Sequence, residues 1–190
     1  MEYPRPKIVA ASWRQSAEYR TFVGAVHARR LPVTLVNGCF DLFHSGHARL
    51  LAFAAEQSLR YFGQAPTGPL VVAVNSDESV LTNKGPGRPV LPWAERAAVL
   101  AAVGVVDVVV GFDETTPLQL VAQLRPALLV KGGDYEGKPV PEMAGLPPSS
   151  AILYCPREPG DVSSSWVVER VVEAEKKREK FVATTGYRGP

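Results

Sequence analysis

Five short apolar runs, at 33–36, 70–74, 105–110, 127–130 and 151–154, set the terms on which this 190-residue chain can fold. The second, LVVAV, is nearly continuous and β-branched, which is the pattern of a strand covered on both faces. Between the runs, apolar residues recur at helical spacing. That spacing predicts helices over Ser12–Arg30 with Ser12 as N-cap, Gly46–Phe62, Trp93–Val103, Thr116–Leu124 with Pro117 near its first position, and Ser163–Phe181. Leu50, Leu51, Phe53, Ala54 and Leu59 are the expected buried face of the second. The Pro-rich residues 1–11 are expected to be extended, 75–92 to be mostly loop, and 182–190 to form a flexible tail. Strands alternating with amphipathic helices predict an α/β fold. The expectation is a single domain over 1–190, built on a Rossmann-like, doubly wound, five-stranded parallel sheet.

Composition narrows the function classes. Hydrophobic residues make up 46% and charged residues 21%, ordinary for a globular protein. A net charge of +2 gives no bulk field for nucleic acid or an acidic membrane, so any useful positive charge must be local. No apolar stretch is long enough for a bilayer, and MEYPRPKIVA lacks a signal-peptide core. Cys39 and Cys155 are far apart and form no CxxC, so they read as reduced thiols. The expected location is cytoplasmic.

In a doubly wound sheet, ligands bind at the carboxyl ends of the strands. Four polar clusters fall there: Asn37–His47, Asn75–Arg88, Lys131–Asp134 and Arg157–Ser165. The first, NGCFDLFHSGH, carries the sharpest signal. It has neither GxGxxG nor GxxxxGK[ST], so it is not an ordinary dinucleotide turn or a P-loop. Instead His44, Gly46 and His47 lie where strand passes to helix. Two histidines three residues apart can face one side of a first helical turn, and each ring can donate to a phosphate oxygen. Gly46 is expected to let the backbone approach that phosphate. A metal held by the pair would need third and fourth ligands, and none is near in sequence.

Together NGCFDLFHSGHARLL, VVAVNSDESV, KGPGRPVLPWAERAAVL and LRPALLVKGGDY resemble the HxGH nucleotidyltransferases of the cytidylyltransferase-like superfamily. Over roughly residues 7–175 they look most like its heptose 1-phosphate adenylyltransferase branch, the nucleotidyltransferase part of ADP-heptose synthases. The resemblance implies that AMP passes from ATP to a sugar 1-phosphate, giving ADP-sugar and pyrophosphate. It implies that His44 and His47 contact the phosphates, with Asn37, Gly38 and the Cys39–Phe40 backbone beside the nucleotide and Asp41 orienting a neighbour or capping the helix. Lys84, in its Gly/Pro-bounded loop, would be a mobile cation closing on the phosphates, backed by Arg88. Arg96 would reach the site or pair with Glu95 or Asp107. Lys131, Gly132, Gly133 and Asp134 match an acceptor- and nucleotide-side loop, and Ser163, Ser164 and Ser165 match hydroxyls for the β- and γ-phosphates. Mg²⁺ is implied as a bridge between phosphates rather than in an all-protein cage. The partners implied are ATP or CTP and a phosphorylated small-molecule acceptor, with a homodimer left open. The sugar-kinase unit fused to this one in some relatives is not in the sequence, which implies the second reaction alone.

Three departures bear on the acceptor and nucleotide. Pro86 and Gly87 replace an acidic residue and serine, Asp161 adds negative charge before the serines with Trp166 after them, and the 62–69 and 138–149 loops are long or Pro-rich. The alternatives are a cytidylyltransferase making a CDP-alcohol such as CDP-glycerol, suggested by Arg157 ahead of Gly160, and a nucleotide-binding regulator without turnover.

Overall fold

Six parallel strands form one sheet in the computed structural model, which describes residues 7–9, 13–63 and 68–187. They are β1 (Ile8–Val9), β2 (Thr34–Gly38), β3 (Leu70–Asn75), β4 (Val108–Phe112), β5 (Leu128–Gly132) and β6 (Ala151–Cys155), in the order β1-β4-β3-β2-β5-β6. The α/β doubly wound expectation holds. The sixth strand comes from the N-terminal segment, where Ile8 and Val9 pair with Val109 and Val110 and extend the sheet past the edge expected from sequence. Between β2 and β5 the strand order reverses, which opens a crevice at their carboxyl ends.

Alternate residues of each central strand enter opposite cores. Leu35, Val71, Ala73, Val108, Val110 and Leu129 pack against α1 (Ala17–Ala28) and α5 (Leu118–Leu124). Val36, Val72, Val74, Val109, Leu128 and Val130 face α2 (Ser45–Phe62) and α4 (Trp93–Ala102). This two-sided burial is why the strands read as continuous apolar runs rather than alternating ones. Full burial of each Val or Leu contributes about 1.5–3 kcal/mol of transfer free energy.

Several boundaries differ from the pattern reading. Ser12 lies outside the described residues. A 3-10 turn at Trp13–Gln15 precedes α1, and Ser16 is its cap, with its Oγ accepting from the Tyr19 amide. Leu59 is exposed, and Ser58 takes its place on the buried face of α2. The strand expected at 105–110 starts only at Val108, where it meets Val71 of β3. Pro117 stands before α5 rather than inside it. The last helix, α6 (Ser164–Thr185), runs on through residues expected to form a flexible tail, and residues 188–190 of that tail lie outside the described ones.

The largest correction lies in 75–92. Asp77–Lys84 form a helix, α3. Ser76 caps it, Asp77 and Glu78 complement its amino-terminal dipole, and Gly85 ends it at φ +85°. Its few apolar residues produce no periodic stripe, so only the caps announce it. Among the described residues, no helix is long and apolar enough to cross a membrane.

Candidate active site

A cleft of about 630 Å³ opens at the carboxyl edge of the sheet. The segments after β2, β3, β4, β5 and β6 all contribute to its lining. It brings together Asn37, Gly38, Cys39, Phe40, Asp41, His44, Gly46, His47, Lys84, Arg88, Lys131, Gly132, Asp134, Ser163, Ser164 and Ser165. Arg96 alone of the residues singled out from sequence is not in the lining.

The β2–α2 turn is built under strain. Phe40 and Leu42 both take left-handed backbone conformations, at φ 51° and 49°, which side chains with a Cβ disfavour. Tertiary contacts hold them there. The Phe40 ring is buried in the α2–α4 core. The Asp41 carboxylate, also buried, accepts from the Val90 and Leu91 amides and from Arg88 at 2.9 Å. The Asp41 carbonyl accepts from the Ser164 hydroxyl. Asp41 is thus a three-way anchor joining the turn, the 88–91 segment and the start of α6. Burial works to raise its pKa, but the Leu91 and Val90 amides and Arg88 outweigh it and hold the carboxyl below its usual range.

His44 and His47 stack with ring centroids 3.8 Å apart, and His47 also leans on Phe40 and Phe43. Burial lowers the His44 pKa against the pull of Asp161. Burial, with His44 alongside, pushes His47 down to about 3. Both rings are therefore neutral near pH 7. The Nδ1 atoms of both are buried without a hydrogen-bond partner. Gly46 is also required by its neighbours. A Cβ there would lie 3.0 Å from the His44 ring and 3.1 Å from the Val162 carbonyl, so the glycine makes room for the ring and for the approach of the segment before α6.

Arg96 is corrected from a site residue to a strut. Its side chain is fully buried, and it donates to the carbonyls of Cys39, Asn75 and Leu91 and to Asp77 at 2.7 Å, not to Glu95 or Asp107. Lys131 is buried too. The register sets Val36 against Val130, so Asn37 and Lys131 meet just beyond, and Lys131 Nζ donates to Asn37 Oδ1 at 3.0 Å. It also pairs with Glu142 at 2.6 Å and lies over the Tyr135 ring. Lys84 ends α3 rather than sitting in a loop, and it is exposed at the rim of the cleft.

The serines divide their work. Ser163 caps α6 by accepting from the Trp166 amide, Ser164 holds Asp41, and Ser165 accepts from Arg88 at 3.4 Å. Asp161 does not leave a bare negative charge beside them. It pairs with Arg49 of α2 and accepts from the Glu158 amide, and these two contacts lower its pKa. Among the described residues, no group of three or more His, Cys, Asp or Glu side chains could hold a metal. Pattern reading missed Arg49 and Glu142, and it marked Asn75 only as the start of a polar cluster. Asp161 was a signal for the first. Nothing local announced Glu142, a buried acid inside a Pro-rich segment.

The cytidylyltransferase-like family model matches residues 35–188. The bifunctional protein HldE of Aeromonas hydrophila is 49% identical over 129 residues, which are 68% of this chain and 25% of that protein. The protein of that name from Campylobacter curvus is 44% identical over 144 residues, 76% of this chain and 28% of the relative. The chain thus spans about a quarter of the length of the curated relatives it matches. A lipopolysaccharide core biosynthesis protein from Thermoplasma volcanium, 21% identical, superposes with a TM-score of 0.53 over 68% of this chain and 99% of its own, a likeness of fold.

Two outcomes test this geometry. In the unfolded chain His47 titrates near 6.5, while the folded ring resists protonation down to about 3, so on acidification the unfolded state binds the proton first. Stability should be full above pH 6.5 and fall by up to about 1.4 kcal/mol per pH unit below it, as read from urea midpoints across that range. The substitution His47→Gln should remove most of that slope. Arg96→Met strands three carbonyls and Asp77, so it should destabilise the fold by about 3 kcal/mol or more in the same assay.

Proposed function

Because the chain belongs to the cytidylyltransferase-like family of nucleotidyltransferases, we propose that it transfers AMP from ATP to a sugar 1-phosphate, giving ADP-sugar and pyrophosphate. The acceptor in this reading is heptose 1-phosphate-like. The observation that carries the reading is the stacked, neutral His44–His47 pair with unpartnered ring nitrogens, set beside Arg88, Lys84 and the serine-rich start of α6. Such donors suit a nucleoside triphosphate. The heptose assignment rests on the motif likeness in VNSD, KGPGRP and VKGGDY.

In the reaction, an acceptor phosphate oxygen forms a bond to the α-phosphorus. The bond from that phosphorus to the bridging oxygen breaks, and pyrophosphate leaves with the electron pair. The attacking phosphate is already ionised, so no activated serine or cysteine is required. Catalysis rests on alignment and on donors aimed at the charge of the transition state. Neutral imidazoles fit that role, because each can donate from one nitrogen without first losing a proton. Asp41 positions Arg88 and the start of α6. Lys84, exposed on the cleft rim at the end of α3, is the cation proposed to reach the phosphates. Mg²⁺ is proposed to ride on the phosphates and neutralise their charge, since the nearby carboxylates of Asp41 and Asp161 are engaged by arginines.

Pyrophosphate release with Mg-ATP or Mg-CTP, across a panel of sugar 1-phosphates and polyol phosphates, tests the reading. Release should be greatest with ATP and a heptose 1-phosphate. Preference for CTP with a polyol phosphate would replace it with CDP-alcohol synthesis, and binding of nucleotide without release for any pair would indicate a regulator. His47→Ala should lower kcat by at least ~10²-fold with the fold retained by circular dichroism. Near wild-type turnover in that variant would remove the histidines from the chemistry.

A further inference from the structure

The cleft lining is chemically mixed. Around His44, His47, Arg49 and Arg88 it is rich in donors and positive charge, with Arg49 paired to Asp161 and Arg88 touching Ser165. Another part of the lining comes from α3 and the segment between β4 and α5. There the Asn83 amide donates to the Thr115 carbonyl, and Thr116 stands beside it. The 3-10 segment Pro141–Gly145 packs so tightly on α5 that a Cβ at Gly145 would lie 2.8 Å from the Leu118 carbonyl. Glu142, in that segment, also lines the cleft. Asn83, Thr116 and Glu142 bring amide, hydroxyl and carboxylate groups to the lining, and these suit a polyol better than a triphosphate.

Glu142 is the unusual member. It is 3% exposed, so its charge is held almost wholly inside the protein. Its Oε1 takes the Lys131 ammonium, and Lys131 is tied in turn to Asn37 at the strand switch. This pairing offsets the cost of burying both charges and leaves Lys131 no longer a free cation for phosphate. Glu142 Oε2 has no partner among the described residues, yet it is not a sealed orphan atom. A carboxylate oxygen fixed at a cleft wall accepts strongly from a hydroxyl and repels a phosphate.

We infer that Glu142 determines acceptor specificity: held by Lys131, it accepts a hydrogen bond from a hydroxyl of the sugar. This deepens the transfer reaction proposed above and rests on it. The orientation follows: the acceptor's phosphate points to His44 and His47, and its polyhydroxyl body lies along Glu142 and Thr116.

Steady-state kinetics of the full chain test it. Glu142→Gln keeps a carbonyl oxygen for Lys131 but loses the charge-assisted acceptor, so KM for the sugar 1-phosphate should rise about tenfold. KM for ATP should stay within about twofold, a split that a general structural defect would not produce. Thr116→Val removes one hydroxyl from the same cleft lining without touching a buried charge, and should raise acceptor KM at least about threefold. If Glu142→Gln fails to fold by thermal melting, Thr116→Val decides alone. Unchanged acceptor KM in the folded variants, or a rise in KM for ATP instead, overturns the assignment while leaving nucleotidyl transfer standing. A wild-type chain that turns over no acceptor overturns both.

Discussion

Arg96 carries the constraint on which the site depends. Strands end at the carboxyl edge of the sheet, and their last carbonyls lose the ladder partners that satisfied the earlier ones. In this protein the carbonyls of Cys39 and Asn75, at the ends of β2 and β3, turn toward one buried guanidinium, as does that of Leu91. Five donors in a fixed plane can serve several acceptors at once, which lysine cannot do in the same geometry. Asp77 balances the charge. One side chain from α4 therefore fixes the floor of the cleft, the start of α3 and the approach to α4.

Above that floor, a pattern of paired charges keeps the cleft fit for an anion. Asp41 is engaged by Arg88 and two amides, Asp161 by Arg49, and Glu142 by Lys131. Each of these three carboxylates has a cation or amides attached. What remains facing inward is mainly donors: histidine rings, serine hydroxyls and the exposed Lys84. Burial keeps the two histidines neutral, so they can stack at 3.8 Å without like-charge repulsion. The strain at Phe40 and Leu42 belongs to the same design, since the left-handed turn carries the chain from β2 over the cleft to His44.

Much of this was legible in the chain because it is local. The apolar runs gave the central strands, since two-sided burial leaves no other composition open to them. HxGH at a strand-to-helix junction marked the cleft, and Ser163 marked the start of the last helix. Other features were not local. Helix α3 is too short and polar to show a stripe, so Lys84 looked like a loop residue. The pairing of Ile8 and Val9 with β4 depends on an edge some hundred residues away in sequence. Lys131 was expected in an acceptor- and nucleotide-side loop, with nothing to show that Glu142 would pair with it, and Arg96 was expected to reach the site or pair with Glu95 or Asp107 rather than with carbonyls and Asp77.

By itself the sequence determined the strand–helix alternation, the place of the HxGH turn and the identity of the groups able to donate hydrogen bonds there, because these follow from hydrophobic period and residue chemistry over a few positions. Only the tertiary structure decided which of the charged groups face the cleft and which are consumed behind its wall. Arg96 and Arg88 are the same residue type, eight positions apart, yet one braces buried carbonyls and the other reaches across the opening to Ser165. Their difference is one of partners, and partners are set by which strand ends the parallel crossovers bring together.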